Sequence, residues 1–155
     1  MKQLFTAFVL SAAVFAAAPV FAAGEEPFKP AVSEDADFKA GRAAIEAQDW
    51  KKAIAALERS ARKYNDEPAV HNWLGYSWRK SGNLDRAFRH YNTALRLDPN
   101  HRGANEYIGE AYLLKKDVAN AEKHLKALER ICSGRACEEY QDLEKSIAEF
   151  KAKGV

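Results

Sequence analysis

The signatures that usually announce catalysis are missing from this sequence. It contains no glycine-rich phosphate loop, no nucleophile elbow and no paired metal-binding motif, so nucleotide chemistry, serine-hydrolase chemistry and zinc coordination lack the residue spacings they need. An excess of one charge is also absent. The chain has 24 Lys and Arg against 22 Asp and Glu, a formal net charge of +2, which leaves no basic footprint for a nucleic acid. Carboxylates are scattered opposite lysines and arginines, as in Glu58-Arg62 and Glu122-Lys126, the pattern of a solvated helix face. No enzyme and no cofactor is expected, and 155 residues suffice for one domain.

The one long apolar run lies at the start. Lys2 precedes Leu4–Ala18, and Val20-Phe21-Ala22 follows with small residues around a cleavage point. This predicts a secretory signal peptide over 1–22, cut after Ala22. The alternative is a retained anchor, since the run nearly reaches spanning length. No cysteine follows it, which argues against a lipid-anchored N-terminus. Cleavage would remove Lys2 as the only charge, leave 23 basic against 22 acidic residues, and make the product periplasmic or secreted, with no further membrane insertion. Residues 23–33, with two prolines and Phe28 either docked or free, read as an extended leader.

What the chain does have is a period. Gly41, Gly75 and Gly109 are evenly spaced, and the same interval separates Ala53, Ala87 and Ala121, and Leu57, Tyr91 and Leu125. Trp50, Leu84 and Val118 share it too, each opening a second helix. The clearest copy is Pro68–His101: two helices, a turn at Ser81-Gly82-Asn83, and a stop at Asp98-Pro99-Asn100. A fixed period with small residues in register marks a stacked helical array.

The residues Leu74-Gly75, Trp78, Gly82, Leu84, Ala87, Tyr91, Ala94 and Pro99 resemble the tetratricopeptide repeat (TPR) signature. The flanking copies are similar but looser: Ala44 and Asn65 in the first, and Leu128 and Ser133 in the third, replace signature residues. The resemblance implies an all-α fold, a right-handed α-α superhelix of three helix pairs at 34–67, 68–101 and 102–135. First helices are expected near 34–47, 68–81 and 102–115. Each glycine is expected to seat against its alanine counterpart on the facing helix.

No helix pair covers its own apolar face, so the array needs an end. The tail 136–155 leaves the repeat pattern but stays helical: Tyr140, Leu143, Ile147 and Phe150 share one face, and charges occupy the other. It reads as a capping helix, with Leu128 filling a wider gap beneath it.

Cys132 and Cys137, the only cysteines, bracket the join between the last repeat and this cap. In an oxidising compartment they are expected to form a disulfide pinning the cap. Thiol–disulfide exchange is the alternative, although its usual spacing is two residues and here it is four. His90 and His124 share a repeat position and are expected to face solvent, with no metal site between them.

The resemblance also implies a concave groove lined by the first helices. Its residues would be Phe38, Arg42 and Ile45 from the first repeat, Asn72, Tyr76 and Arg79 from the second, and Glu106, Glu110 and Leu113 from the third. Trp73 stands where a polar residue is common and joins this set. Aromatic, aliphatic and charged groups in this mixture suit another protein's extended peptide or helix, with apolar groups giving affinity and charges setting register. The family's carboxylate clamp needs lysines and asparagines, and Phe38, Arg42, Trp73, Gly103 and Tyr107 stand in their places, so an acidic chaperone tail is not the expected partner. The leading reading is a non-catalytic protein-interaction adaptor.

Overall fold

A computed structural model describes residues 31–154; the expected signal peptide and most of the leader lie outside them. Among the described residues the chain is entirely helical. A short 3-10 turn, Val32–Glu34, precedes α1 (Ala36–Glu46), α2 (Trp50–Lys63), α3 (Pro68–Lys80), α4 (Leu84–Leu97), α5 (Arg102–Leu114), α6 (Val118–Ile131) and α7 (Glu138–Ala152). None of these helices is long and apolar enough to cross a membrane. The first helix starts two residues later than expected from sequence because Asp35 caps it: its carboxylate accepts from the Phe38 amide at 2.9 Å, which satisfies one of the orphan donors at a helix start.

The turns inside the three pairs are copies of one another. Gln48, Gly82 and Lys116, at equivalent positions of the three units, all have positive φ (55°, 88° and 60°). The next residue in each case, Asp49, Asn83 or Asp117, caps the second helix by accepting the backbone N–H three residues on. Only the middle copy uses glycine, for which the left-handed conformation carries no steric cost.

The core is a series of seams between neighbours. Leu57 and Tyr64 pack with Val70 and Leu74 across the first junction. Ala87 and Tyr91 pack with Ile108 and Ala111 across the second. Leu113, Ala121 and Leu128 pack with Tyr140, Leu143 and Ile147 of α7 across the third. Every cluster thus spans two units, which is why no unit is complete alone. Leu128 is fully buried at the place where the cap demands more volume than alanine supplies.

The expected glycine–alanine seating is corrected by the structure. Ala53, Ala87 and Ala121 are fully buried, but they are not what the glycines meet. A Cβ at Gly41 would lie 2.6 Å from Leu57 Cγ, and one at Gly75 would lie 2.5 Å from the Tyr91 ring. At Gly109 the nearest atom would be Leu143 Cδ2 of α7, at 2.6 Å. The glycines make room for a large side chain on the facing helix. At the third one that side chain comes from the cap.

The histidine reading is also corrected. His71 and His90 lie in α3 and α4 with their Nδ1 atoms 3.4 Å apart, and His71 Nε2 lies 2.9 Å from the Asn65 carbonyl. One repeat later His124 Nδ1 is 3.0 Å from Asn105 Oδ1. These are polar clasps between the two helices of a pair, not solvent-facing groups. Burial lowers the His90 pKa to about 4, and the neighbouring His71, Arg89 and Arg86 add to the effect. Glu122, expected to pair with Lys126 in its own helix, instead reaches Lys151 of α7.

Candidate functional site

The first helices touch in succession, α1 against α3, α3 against α5, and α5 against α7, while the second helices make no comparable row. Rods that close on one side and splay on the other form a curved array, and the closed side is the inside of the curve. The four first-position helices therefore line one trough.

At its centre is a set of rings. Trp73 and Tyr76 of α3 meet edge to face at 5.7 Å between centroids, and Tyr107 of α5 lies 5.0 Å from Tyr76 and 6.1 Å from Trp73. Trp50, the first residue of α2, packs on Tyr76 at 6.1 Å. All four rings are half-buried, and such offset contacts hold each in a fixed orientation. The Arg42 guanidinium lies over Trp73, 3.8 Å from the ring centroid, and its Nε is buried without a hydrogen-bond partner. The geometry is a cation–π stack.

Arg79 crosses the trough from α3 to α5. Its Nη2 is 2.6 Å from Glu110 Oε2 and its Nε donates to the Tyr91 hydroxyl at 3.3 Å. The side chain is 8% exposed, so this is a largely desolvated ion pair that fixes the two helices rather than a charge free to meet a partner. Beyond it, where α5 meets α7, a cleft of about 360 Å³ is lined by Arg79, Glu110, Leu113, Leu114, Ser146 and Phe150, among others. Leu114, 60% exposed, is its apolar lip.

The ten residues expected to line the groove therefore divide. Trp73, Tyr76, Arg42 and Glu110 come together at the trough surface, and Arg79 is buried in its ion pair with Glu110. Phe38 and Ile45 pack against the first core seam. Asn72, Glu106 and Leu113 are buried, at 3%, 8% and 7% exposure, and so are not the open contact residues the family positions suggested. Tyr107 and Trp50 were missed as contributors. One signal for Tyr107 was in the sequence: it follows Trp73 by one full period, so two consecutive repeats carry an aromatic ring at one position. Burial, together with Glu110, Asp142 and Glu139, pushes the Glu106 carboxyl up to about 8.

Cys132 ends α6 and Cys137 caps α7. A disulfide joins them, with the Cα atoms 5.9 Å apart. The turn between them includes Ser133 and Gly134 at positive φ.

Comparison with known proteins agrees with this geometry. A tetratricopeptide repeat family profile matches residues 38–102 and 79–136. The TPR repeat-containing thioredoxin TTL4 of Arabidopsis thaliana is 25% identical over 107 residues, covering 69% of this chain and 15% of that protein. The chain thus corresponds to a small part of the curated relative it matches. Among solved structures, the Sgt2 TPR domain from Aspergillus fumigatus superposes with a TM-score of 0.71 at 18% identity, covering 84% of each chain. The TPR2B domain of yeast Sti1, in its pHsp70 complex, gives 0.69 at 16% identity over 76% of this chain and 94% of that one. The Yersinia enterocolitica type III secretion chaperone SycD, in complex with a peptide of the translocator YopD, gives 0.65 at 15% identity over 77% and 92%. At these identities the structural likeness is one of fold. With three copies of one helical hairpin in register and the profile spanning most of the chain, the protein belongs to the tetratricopeptide repeat family.

Proposed function

We propose that this protein is a non-catalytic adaptor that holds an extended peptide or a helix of another protein in the trough lined by α1, α3, α5 and α7. The observation that carries this reading is the ring set of Trp73, Tyr76 and Tyr107, locked in offset contacts at the middle of the trough and only half-buried. Rigid aromatic groups on a preformed surface provide contact area at little conformational cost, and aromatic anchors dominate binding energetics. The peptide held by the structurally similar SycD supports the same use of the fold. The test is capture of partners from the envelope of the source cell by crosslinking. Wild type and Lys145→Ala, a change on the outer face, are expected to recover the same partners, and Trp73→Ala with Tyr76→Ala is expected to lose them. Full recovery by the double variant, shown to be folded, would refute the trough.

We further propose that the chain works outside the cytoplasm after loss of residues 1–22, with Cys132–Cys137 as a structural staple. The alternative of thiol–disulfide exchange is separated from it by the reduction potential of the pair. A staple lies below about −300 mV, and exchange proteins lie well above it. Replacing both cysteines by serine is expected to lower stability by about 2 kcal/mol, the chain-entropy value for so short a loop, measured by denaturant unfolding with and without reductant. No difference between the oxidised wild type and the serine variant would sink the staple.

A further inference from the structure

The second helices, α2, α4 and α6, form the outer side of the curve, away from the trough. Each turns one stripe of four residues outward, at i, i+4, i+7 and i+11 from Lys51, Asp85 and Ala119, and all twelve residues are exposed. The stripes recur at the repeat interval and so lie in register. Their last position is arginine in all three: Arg62, Arg96 and Arg130. Lys51, Arg89, Lys123 and Lys126 bring the cations to seven of the twelve, against Glu58 and Asp85. The stripes thus carry +5 in a chain whose formal net charge is +2, so the remainder sums to −3. A balanced total conceals a segregation of charge.

The outward cations also lack countercharges. Elsewhere Lys63 bridges Asp35 and Asp37, Arg79 meets Glu110, and Arg102 meets Glu139. None of the seven forms an ion pair with a described residue, and Arg62 makes none even with Glu58, four residues before it. Asp85 is taken by Lys115 at 3.3 Å. The carboxylates of α6, Glu122 and Glu129, are taken by Lys151 and Arg135. An arginine near a helix C-terminus is favoured by the macrodipole, which accounts for the row one residue at a time. It does not account for Lys51 in the first turn of α2, at the positive end, nor for Arg89 and Lys123 in mid-helix. Like charges gathered on one face repel one another, and an external anionic surface removes that repulsion.

We propose that the outer face formed by α2, α4 and α6 docks on an anionic phospholipid bilayer, with Arg62, Arg96 and Arg130 as the contact row. A guanidinium suits a phosphate because two parallel N–H donors can meet two of its oxygens. The choice of lipid over nucleic acid rests on the proposed work outside the cytoplasm. It agrees with the stripes themselves: none of the twelve positions is aromatic, so no base-stacking platform accompanies the charge. The trough opens on the opposite side, and a docked protein keeps it free for a partner.

The experiment measures partitioning of the full chain onto vesicles of phosphatidylcholine alone, and of phosphatidylcholine with about one-third phosphatidylglycerol. The reading is the ratio of the two partition coefficients, in which any contribution of the apolar N-terminal run common to both vesicles cancels. Each cation at an anionic surface is worth about fivefold in binding, so Arg62→Gln, Arg96→Gln and Arg130→Gln together are expected to lower the ratio about 100-fold. Lys80→Gln, Lys145→Gln and Lys153→Gln remove the same charge from exposed positions off the stripes and should change it less than about threefold. Melting curves of both triple variants are checked first. Raising the salt from about 0.1 M to about 1 M, which shortens the Debye length from about 10 Å to about 3 Å, should abolish the anionic preference. A wild-type ratio near one, equal losses in the two triple variants, or tighter binding to duplex DNA than to vesicles at matched phosphate concentration overturns the proposal. Trp73→Ala with Tyr76→Ala should keep the wild-type ratio, so the trough and the outer face fail separately. Cell fractionation tests export by itself: a cytosolic chain with the expected vesicle ratio would overturn export and leave this face standing.

Discussion

Truncating Leu143 to alanine is expected to lower the unfolding free energy by about 3 to 4 kcal/mol, near the middle of the range for a fully buried leucine. Leu143 is 0% exposed and packs with Leu128, Tyr140 and Ile147. Its tip is the nearest neighbour of the bare Cα of Gly109 on α5. The low end of the range is excluded because the site cannot collapse: a glycine has no side chain with which to fill the void. Lys145→Ala, on the exposed face of the same helix, should change stability by less than about 0.5 kcal/mol.

The loss should also be local in a way an ordinary core truncation is not. A helical array is held together by contacts between neighbours, so loosening α7 should raise amide exchange in α7 first, then in α5 and α6, while α1 and α2 stay protected. Equal loss of protection along the whole chain would mean that the array folds as one block and that α7 is not acting as a cap. A variant as stable as Lys145→Ala would mean that α7 is not seated at all.

The repeat period made the helices, their order and the turns within each pair legible from sequence, because small residues at fixed spacing leave few ways to stack hairpins. It was also enough to identify Trp50, Leu84 and Val118 as first residues of second helices. What repetition did not reveal is which neighbour each residue meets. Gly41 and Gly75 face Leu57 and Tyr91 of their own pairs, yet Gly109 faces Leu143 rather than Leu125, because the position one period on is glycine in the inner units and leucine in the cap. The cap itself keeps the register more closely than its composition suggests. Leu143 and Ile147 lie one full period after Gly109 and Leu113 and are buried like them. The site was read least well. Family positions name the helix face, but Asn72, Glu106 and Leu113 sit low enough on it to be covered, and Arg79 is drawn into a cross-helix ion pair with Glu110 that no spacing rule encodes.

Placing valine at Gly75 is expected to cost about 3 kcal/mol or more. A Cβ there would be 2.5 Å from two carbons of the Tyr91 ring, and that ring is fully buried with its hydroxyl bound to Arg79. Valine adds two further carbons to the same space. Overpacking a dense interior by one or two methylenes typically costs about 1–3 kcal/mol, and here the ring cannot move without releasing Arg79 as well. Helix propensity offers little in return, since valine and glycine differ by only a few tenths of a kcal/mol in a helix interior. Gly103, also helical, is the control: its nearest side-chain atom would be 3.3 Å away at the end of Asn72, so Gly103→Ala should be close to neutral. The decisive measurement is a double-mutant cycle. Tyr91→Ala removes the ring and is destabilising by itself, but adding Gly75→Val to it should cost almost nothing, giving a coupling of about 2 kcal/mol or more between directly touching positions. Simple additivity of the two losses would show that Gly75 is required for its backbone and not for the space it leaves to Tyr91.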